Sequence, residues 1–399
     1  MFYGWRMVGV AFGSNMVASG LAFYALPRLL QPLASTYTDG ERGPVMLLGL
    51  AMSIAGMAAG PLIGRELTRR SLRAVMSTGA LVLGLGFLLA SQATAFWMLV
   101  VVYSITVPIG VGAMSSIGGN ALVGNWFDRR RPFALGVSQF GLSIAGALAV
   151  FFISWTLGWG DLSGTYLAFA VIALATAPIL FWMIRDRPAD LGLTPDGEPR
   201  DPLTMEASAP DDWTFQEALR EPNLWLAGMT AGLCFLGATA ILQNGHAFVT
   251  DAGYDDAEAN FFVSSMAVGA AFGKLLFGVL GVRFGERASF AIAVIAEGIF
   301  MLLLVESRGT FGLLVGAGLG LGLALGGVMP ALSALLARLF GTARFGPAMG
   351  YIAPVMIPLQ MLGAPAAAFV WDETGSYDPA IYGFSVACAI ALMLLFRVR

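Results

Sequence analysis

An all-α membrane protein, with twelve transmembrane helices in two pseudo-symmetric six-helix bundles, is the fold class this sequence predicts. Three observations carry the prediction. Mean hydropathy is +0.77 and only 12% of residues are charged, against about 25% in ordinary soluble domains. The Arg residues sort to alternate loops along the chain. A basic loop pattern recurs at a fixed offset, as a duplication requires.

The apolar runs come first. Taking about 20 residues as the length that crosses a bilayer, spans fall near 7–30, 45–64, 74–93, 96–122, 132–155, 165–184, 223–245, 259–282, 288–305, 310–337, 346–370 and 379–396. The first opens with Tyr3-Gly4-Trp5-Arg6, an aromatic and cationic interface anchor. It is long and has no small-residue cleavage site, so it reads as a retained helix and not a signal peptide. With this count, 18 basic residues fall at the termini and even-numbered connections, while only Arg42 and Arg308 fall in the odd ones. That asymmetry predicts a multi-pass protein of the plasma or inner membrane with both termini cytoplasmic.

The connection after helix 2 contains Gly64, Arg69 and Arg73, and the one after helix 8 contains Gly278, Arg283 and Arg287, 214 residues further on. The same offset carries Arg130, Ala134 and Gly136 onto Arg344, Ala348 and Gly350. Duplicated six-helix halves are an architecture of secondary transporters. The predicted domains are a bundle over 1–184, a cytoplasmic linker over 185–222, dense in Pro and acidic residues, and a second bundle over 223–399. Thr214 to Leu219 reads as a short capped helix at the linker's end. Gly and Pro concentrate in helices 10 and 11, among them Gly322, Gly326, Pro330, Pro354 and Pro358. They permit the bending that alternating access needs.

Polar residues inside spans are candidate site residues, because an ionisable group in hydrocarbon is costly and marks a pathway. Lys274 is the only Lys in the chain and lies roughly 13 Å of helix from the nearest charged end. Arg28 stands about 33 Å beyond Arg6, at the outer mouth, where it serves either as an interfacial anchor or in the pathway. Tyr24 beside it, and Ser115 and Asn120 in the small-residue-rich helix 4, complete the substrate-binding candidates. Gln243 and His246, the only His, are candidates for an outer gate or proton sensor, with a hydrogen-bonded structural His as the other reading of His246. Arg69, Arg73, Arg130, Arg283 and Arg287 are candidates for inner gate loops. Glu297, in the middle of helix 9, is either a proton carrier or a packed, hydrogen-bonded carboxyl.

Several functions are excluded by what is missing. The sequence has no phosphate-cradling Gly-x4-Gly-Lys-Ser/Thr, no metal-ligand spacing and no Ser-His-Asp set, which argues against an ATP-driven pump or an enzyme. Cys234 and Cys388 fall inside spans and imply no disulfide. No cofactor is expected, no basic face suggests nucleic acid, and nothing calls for assembly beyond a monomer in the bilayer.

With those loops and halves in place, the chain resembles the major facilitator superfamily over its whole length. Within it, the monocarboxylate transporter and oxalate/formate antiporter branch is the most similar. The resemblance rests on Tyr3-Gly4-Trp5-Arg6, on Trp126 to Arg131, on Arg187 to Gly197, and on Asp372 to Tyr377. It implies that Lys274, followed four positions on by Gly278, binds a substrate carboxylate, and that Pro27-Arg28 matches a basic residue near the end of helix 1. Thr68 and Val282 stand where the superfamily's loop motif has Asp, and Ala270 where some members of the branch have an acid. The second cation of oxalate exchangers corresponds to Met356. One central cation suits a monoanion. The expected function is secondary transport of a small organic anion, a monocarboxylate, with or without a coupled proton. The alternatives are an exporter of a hydrophobic or cationic compound using Glu297, and a non-transporting membrane sensor.

Overall fold

A computed structural model describes residues 2–41, 43–159, 161–197, 213 and 215–398. Arg42, Arg200, Arg399, Thr214 with its predicted cap, and the acidic stretch 198–212 of the predicted linker lie outside the described residues. Twelve helices are long and apolar enough to cross a membrane. They are α1 (Gly4–Tyr37), α2 (Gly43–Leu67), α3 (Leu72–Ser91), α4 (Phe96–Trp126), α5 (Arg131–Gly158), α6 (Leu162–Met183), α7 (Pro222–Asp251), α8 (Asp256–Phe284), α9 (Glu286–Glu306), α10 (Phe311–Gly341), α11 (Arg344–Thr374) and α12 (Asp378–Arg397). No strand occurs among the described residues. Outward faces are apolar, with Trp97, Phe151 and Trp182 among the most exposed side chains. In water such a surface would aggregate, whereas in hydrocarbon it needs no cover.

Local sequence sets where helices start and bend. α8 begins at a capping box: the Asp255 carboxylate accepts from the Glu258 N–H at 2.8 Å, and Glu258 accepts from the Asp255 N–H at 3.1 Å. α1 is interrupted at Phe23 and Tyr24. α4 contains a π-helical turn at Val102–Thr106 and breaks after Met114, where Ser115 has φ −113° and ψ −98°. α10 ends at Gly341, whose φ of +67° favours a residue without a Cβ.

Two compact units divide the chain. The first comprises Met1–Asp128, Gly141–Phe215 and Phe340–Tyr351, and the second Arg129–Phe140, Gln216–Leu339 and Ile352–Arg399. In the first, α3 packs along α6; in the second, the equivalent pair α9 and α12 does the same. Loop contacts repeat too: the Arg73 guanidinium lies 4.7 Å from the Phe181 ring, and that of Arg287 lies 6.0 Å from the Phe396 ring.

α8 and α10 of the second unit cross on glycine. A Cβ added at Gly269 or Gly273 would lie 2.3 or 2.1 Å from the carbonyl oxygens of Leu319 and Leu323. One added at Gly322 or Gly326 would lie 2.1 Å from those of Met266 and Ala270. Two Gly-x3-Gly pairs thus face each other, and only bare Cα atoms allow the backbones this close.

At the far end of the second unit Arg308 grips Asp378, with Nη2 to Oδ1 at 2.5 Å and Nη1 to Oδ2 at 3.2 Å. The Arg308 guanidinium also lies 4.6 Å from the Phe248 ring, and Tyr254 donates to the Arg308 carbonyl at 2.8 Å. The clamp fastens the α9 to α10 loop to the start of α12 and the end of α7. Arg308→Met, which keeps the stem and removes the charge, is expected to cost about 1–2 kcal/mol. A lower thermal midpoint in detergent is the measurement.

Candidate functional site

Lys274 sits on α8 beside the glycine crossing. Phe272 and Leu276, two residues to either side and about 160° round the helix, are exposed, as is Val279. They form the exposed apolar face of α8, with the Phe272 ring also 6.4 Å from that of Phe140. The flank about a quarter-turn from Lys274, with Met266, Gly269, Gly273 and Phe277, is buried on α10. Lys274 is half-buried and points off the exposed apolar face, toward the side where Gly278 and Gly281 meet Pro132 and Phe133. Its own carbonyl lies where a Cβ on Gly136 would be 2.2 Å away. At the 214-residue offset its counterpart in the first half is Gly60, so the duplicated scaffold carries this charge on one side only.

The other candidates divide between the units. Arg28 and Tyr24, both exposed, lean on α5: Arg28 donates to the Ser154 hydroxyl at 3.2 Å, and the Tyr24 ring lies against Gly146. Ser115 and Asn120 are 2% and 1% exposed and lie at the break in α4. The Ser115 hydroxyl donates to the Asn15 side-chain carbonyl at 2.6 Å, and Ser14 donates to the carbonyl of Met114 at 2.7 Å. This polar cluster joins α1 to the broken α4 and satisfies backbone that the break frees. Ser14, Asn15 and Ser154 escaped the sequence reading; the adjacent polar pair in the middle of α1 was the available signal.

In the second unit, Gln243 is exposed and half-buried His246 has Nε2 at 3.5 Å from Asp256 Oδ1, across the turn from α7 to α8. Glu297 is fully buried where α9 meets α7 and α12, with Cys234 and Cys388 as neighbours. Neither of its oxygens has a nitrogen or oxygen hydrogen-bond partner among the described residues, and the Cys234 thiol is the polar group that faces it. Glu297 and Lys274 belong to different helices with different surroundings.

Of the loop arginines, Arg69, Arg130 and Arg283 are exposed and Arg73 and Arg287 half-buried. Arg73 donates its backbone N–H to Asp186 Oδ1 at 3.0 Å. Burial raises the Asp186 carboxyl above its ordinary value of 3.8, and the Arg73 N–H opposes that rise. The folded chain therefore holds this proton more tightly than the unfolded chain does. The contribution is complete below pH 3.8 and is lost as pH rises through the folded value. Asp186→Asn keeps an oxygen for the Arg73 N–H, so the thermal midpoint of this variant is expected to fall less between pH 3.8 and neutrality than that of the wild type.

Twelve helices long and apolar enough to cross a membrane, in duplicated halves, define a polytopic membrane protein. A family model described as Major Facilitator Superfamily matches residues 7–255 and 245–399. The chain belongs to that superfamily, and it is a transporter and not an enzyme. Human monocarboxylate transporter 2 is 24% identical over 402 residues, covering 94% of this chain and 81% of the relative. Mouse monocarboxylate transporter 11 is 26% identical over 407 residues, covering 94% and 83%. Among solved structures, the human organic anion transporter MFSD10 (TETRAN) superposes with a TM-score of 0.76 at 16% identity, covering 98% of this chain and 99% of that one. The E. coli fucose:proton symporter FucP does so with 0.73 at 17%, covering all of both. These structures share the fold.

Proposed function

We propose that the protein carries a small organic monoanion, a monocarboxylate, across the cell membrane by alternating access, with the Lys274 ammonium as the substrate's counter-charge. One observation carries the reading: the chain's only Lys lies mid-span, on the side of α8 opposite its exposed apolar residues Phe272 and Leu276. An ammonium in low dielectric attracts a carboxylate far more strongly than it would in water. Relatives named as monocarboxylate transporters support the substrate class. Met356, where a second cation would sit, supports one negative charge over two. The Arg sorting supports cytoplasmic termini, and Arg28 and His246 serve at the outer mouth, with the unit working as a monomer. Proton coupling follows if Lys274 releases its proton once its anion has left.

The test is a thermal-shift screen of the purified protein with formate, lactate and butyrate beside oxalate. A monocarboxylate raises the unfolding midpoint of wild type and not of Lys274→Ala, because a ligand bound only to the folded state stabilises it. Equal shifts in both proteins would remove Lys274 from the site. Uptake into liposomes driven by an imposed pH gradient tests the coupling.

A further inference from the structure

We infer that the Arg-rich face of the first unit holds a binding site for the phosphate headgroup of an anionic phospholipid, in the cleft between Arg73 and Arg185. The cleft has a volume of about 300 Å³ and is lined by Arg73, Ile184, Arg185, Asp186 and Asp190, where the start of α3 meets the end of α6. Its two carboxylates are directed to backbone: Asp186 accepts from the Arg73 N–H at 3.0 Å, and Asp190 from the Arg187 N–H at 3.1 Å. Neither guanidinium makes a contact ion pair with them, although the Arg73 charge acts on Asp186. That of Arg73 lies over the Phe181 ring, and that of Arg185 makes long hydrogen bonds of 3.4 and 3.3 Å to the carbonyls of Trp182 and Ile184. No carboxylate lies within ion-pair distance of either among the described residues.

The cleft is built in advance. Trp126 Nε1 donates to the Arg185 carbonyl at 2.8 Å, Asn125 donates to the Asp186 carbonyl at 3.1 Å, and the Arg185 N–H meets Met7 Sδ at 3.4 Å. Three side chains pin the backbone of Arg185 and Asp186, and Asp186 in turn holds the Arg73 N–H, so the base of each cation is fixed in advance and that part of the entropic cost of binding is lowered. The wall beside it is made for lipid. Phe181, Trp182 and Met183 are 45%, 77% and 48% exposed, and an aromatic belt of this kind sits at headgroup level. A phosphodiester between the guanidiniums leaves its acyl chains lying along α6. Basic clefts between transmembrane helices take anionic headgroups in this manner.

The test places the purified full-length protein in vesicles of phosphatidylcholine, with and without phosphatidylglycerol, and in phosphatidylcholine with inorganic phosphate. Phosphatidylglycerol raises the unfolding midpoint of wild type by several degrees, and inorganic phosphate does not. Arg73→Gln with Arg185→Gln loses that increment and binds phosphatidylglycerol about thirtyfold more weakly. Arg6→Gln with Arg70→Gln, which removes the same charge elsewhere on the first unit, keeps the increment. If the first pair fails to fold, Arg185→Gln alone is expected to bind about fivefold more weakly. An increment that survives the loss of both cleft arginines, disappears equally in both double variants, or is matched by free phosphate overturns the site.

Discussion

Uptake of a monocarboxylate into proteoliposomes is expected to fall about a hundredfold when Lys274 is replaced by alanine. An ion pair at contact distance is worth about 4 kcal/mol at an effective dielectric of 20. Desolvation of the ammonium and the carboxylate takes back part of this, so about 3 kcal/mol, or a hundredfold, remains. Alanine also leaves the substrate's charge in a low-dielectric passage with no partner, so binding and translocation are lost together. Lys274→Arg restores the charge in a bulkier, planar form and recovers part of the flux. Glu297→Gln is the matched control. Glu297 is fully buried among α7, α9 and α12, and its substitution leaves uptake of the anion near wild type. The reverse pattern, with flux kept in Lys274→Ala and lost in Glu297→Gln, would transfer the function to the export of a hydrophobic or cationic compound.

The sequence displayed the twelve spans because each must satisfy its backbone internally and face hydrocarbon, and length and hydropathy report both. It displayed the duplication through loops, where glycine and arginine repeat at one offset. Lys274 stood out because its charge is rare at that depth, and its direction followed once the exposed Phe272 and Leu276 marked the apolar face of α8. The break in α4 was hidden. Val111 to Gly118 contains no charge and no proline, and the irregular turn at Ser115 is held by Ser14 and Asn15, a hundred residues away in sequence. The cleft at Arg73 and Arg185 was hidden for the same reason. Asn125, Trp126 and Met7 fix the backbone of Arg185 and Asp186, and no spacing along the chain announces a hydrogen bond between residues so far apart. Local pattern is legible where solvent imposes it; geometry that depends on side chains meeting across helices is not.

Gly273→Val is expected to destabilise the protein by about 3 kcal/mol, at the upper end for overpacking, and to abolish transport. A Cβ at Gly273 would lie 2.1 Å from the Leu323 oxygen, 2.9 Å from its carbonyl carbon and 3.0 Å from its Cα. All three atoms are backbone, so no rotamer change relieves the clash, and α8 must move off α10. The three other glycines of the crossing hold the same spacing, so displacement at one lifts all four contacts. Lys274 is the next residue and moves with α8, which couples stability to function at this point. Gly273→Ala produces a smaller loss of the same kind. Gly316 provides the contrast on α10: a Cβ there meets nothing within 4 Å, and Gly316→Ala is expected to stabilise by about 0.5 kcal/mol through helix propensity alone. Thermal unfolding of the three variants in one detergent, with uptake measured on each that folds, separates a packing crossing from helix propensity. A Gly273→Val protein as stable and as active as wild type would mean that α8 and α10 do not meet on bare glycine.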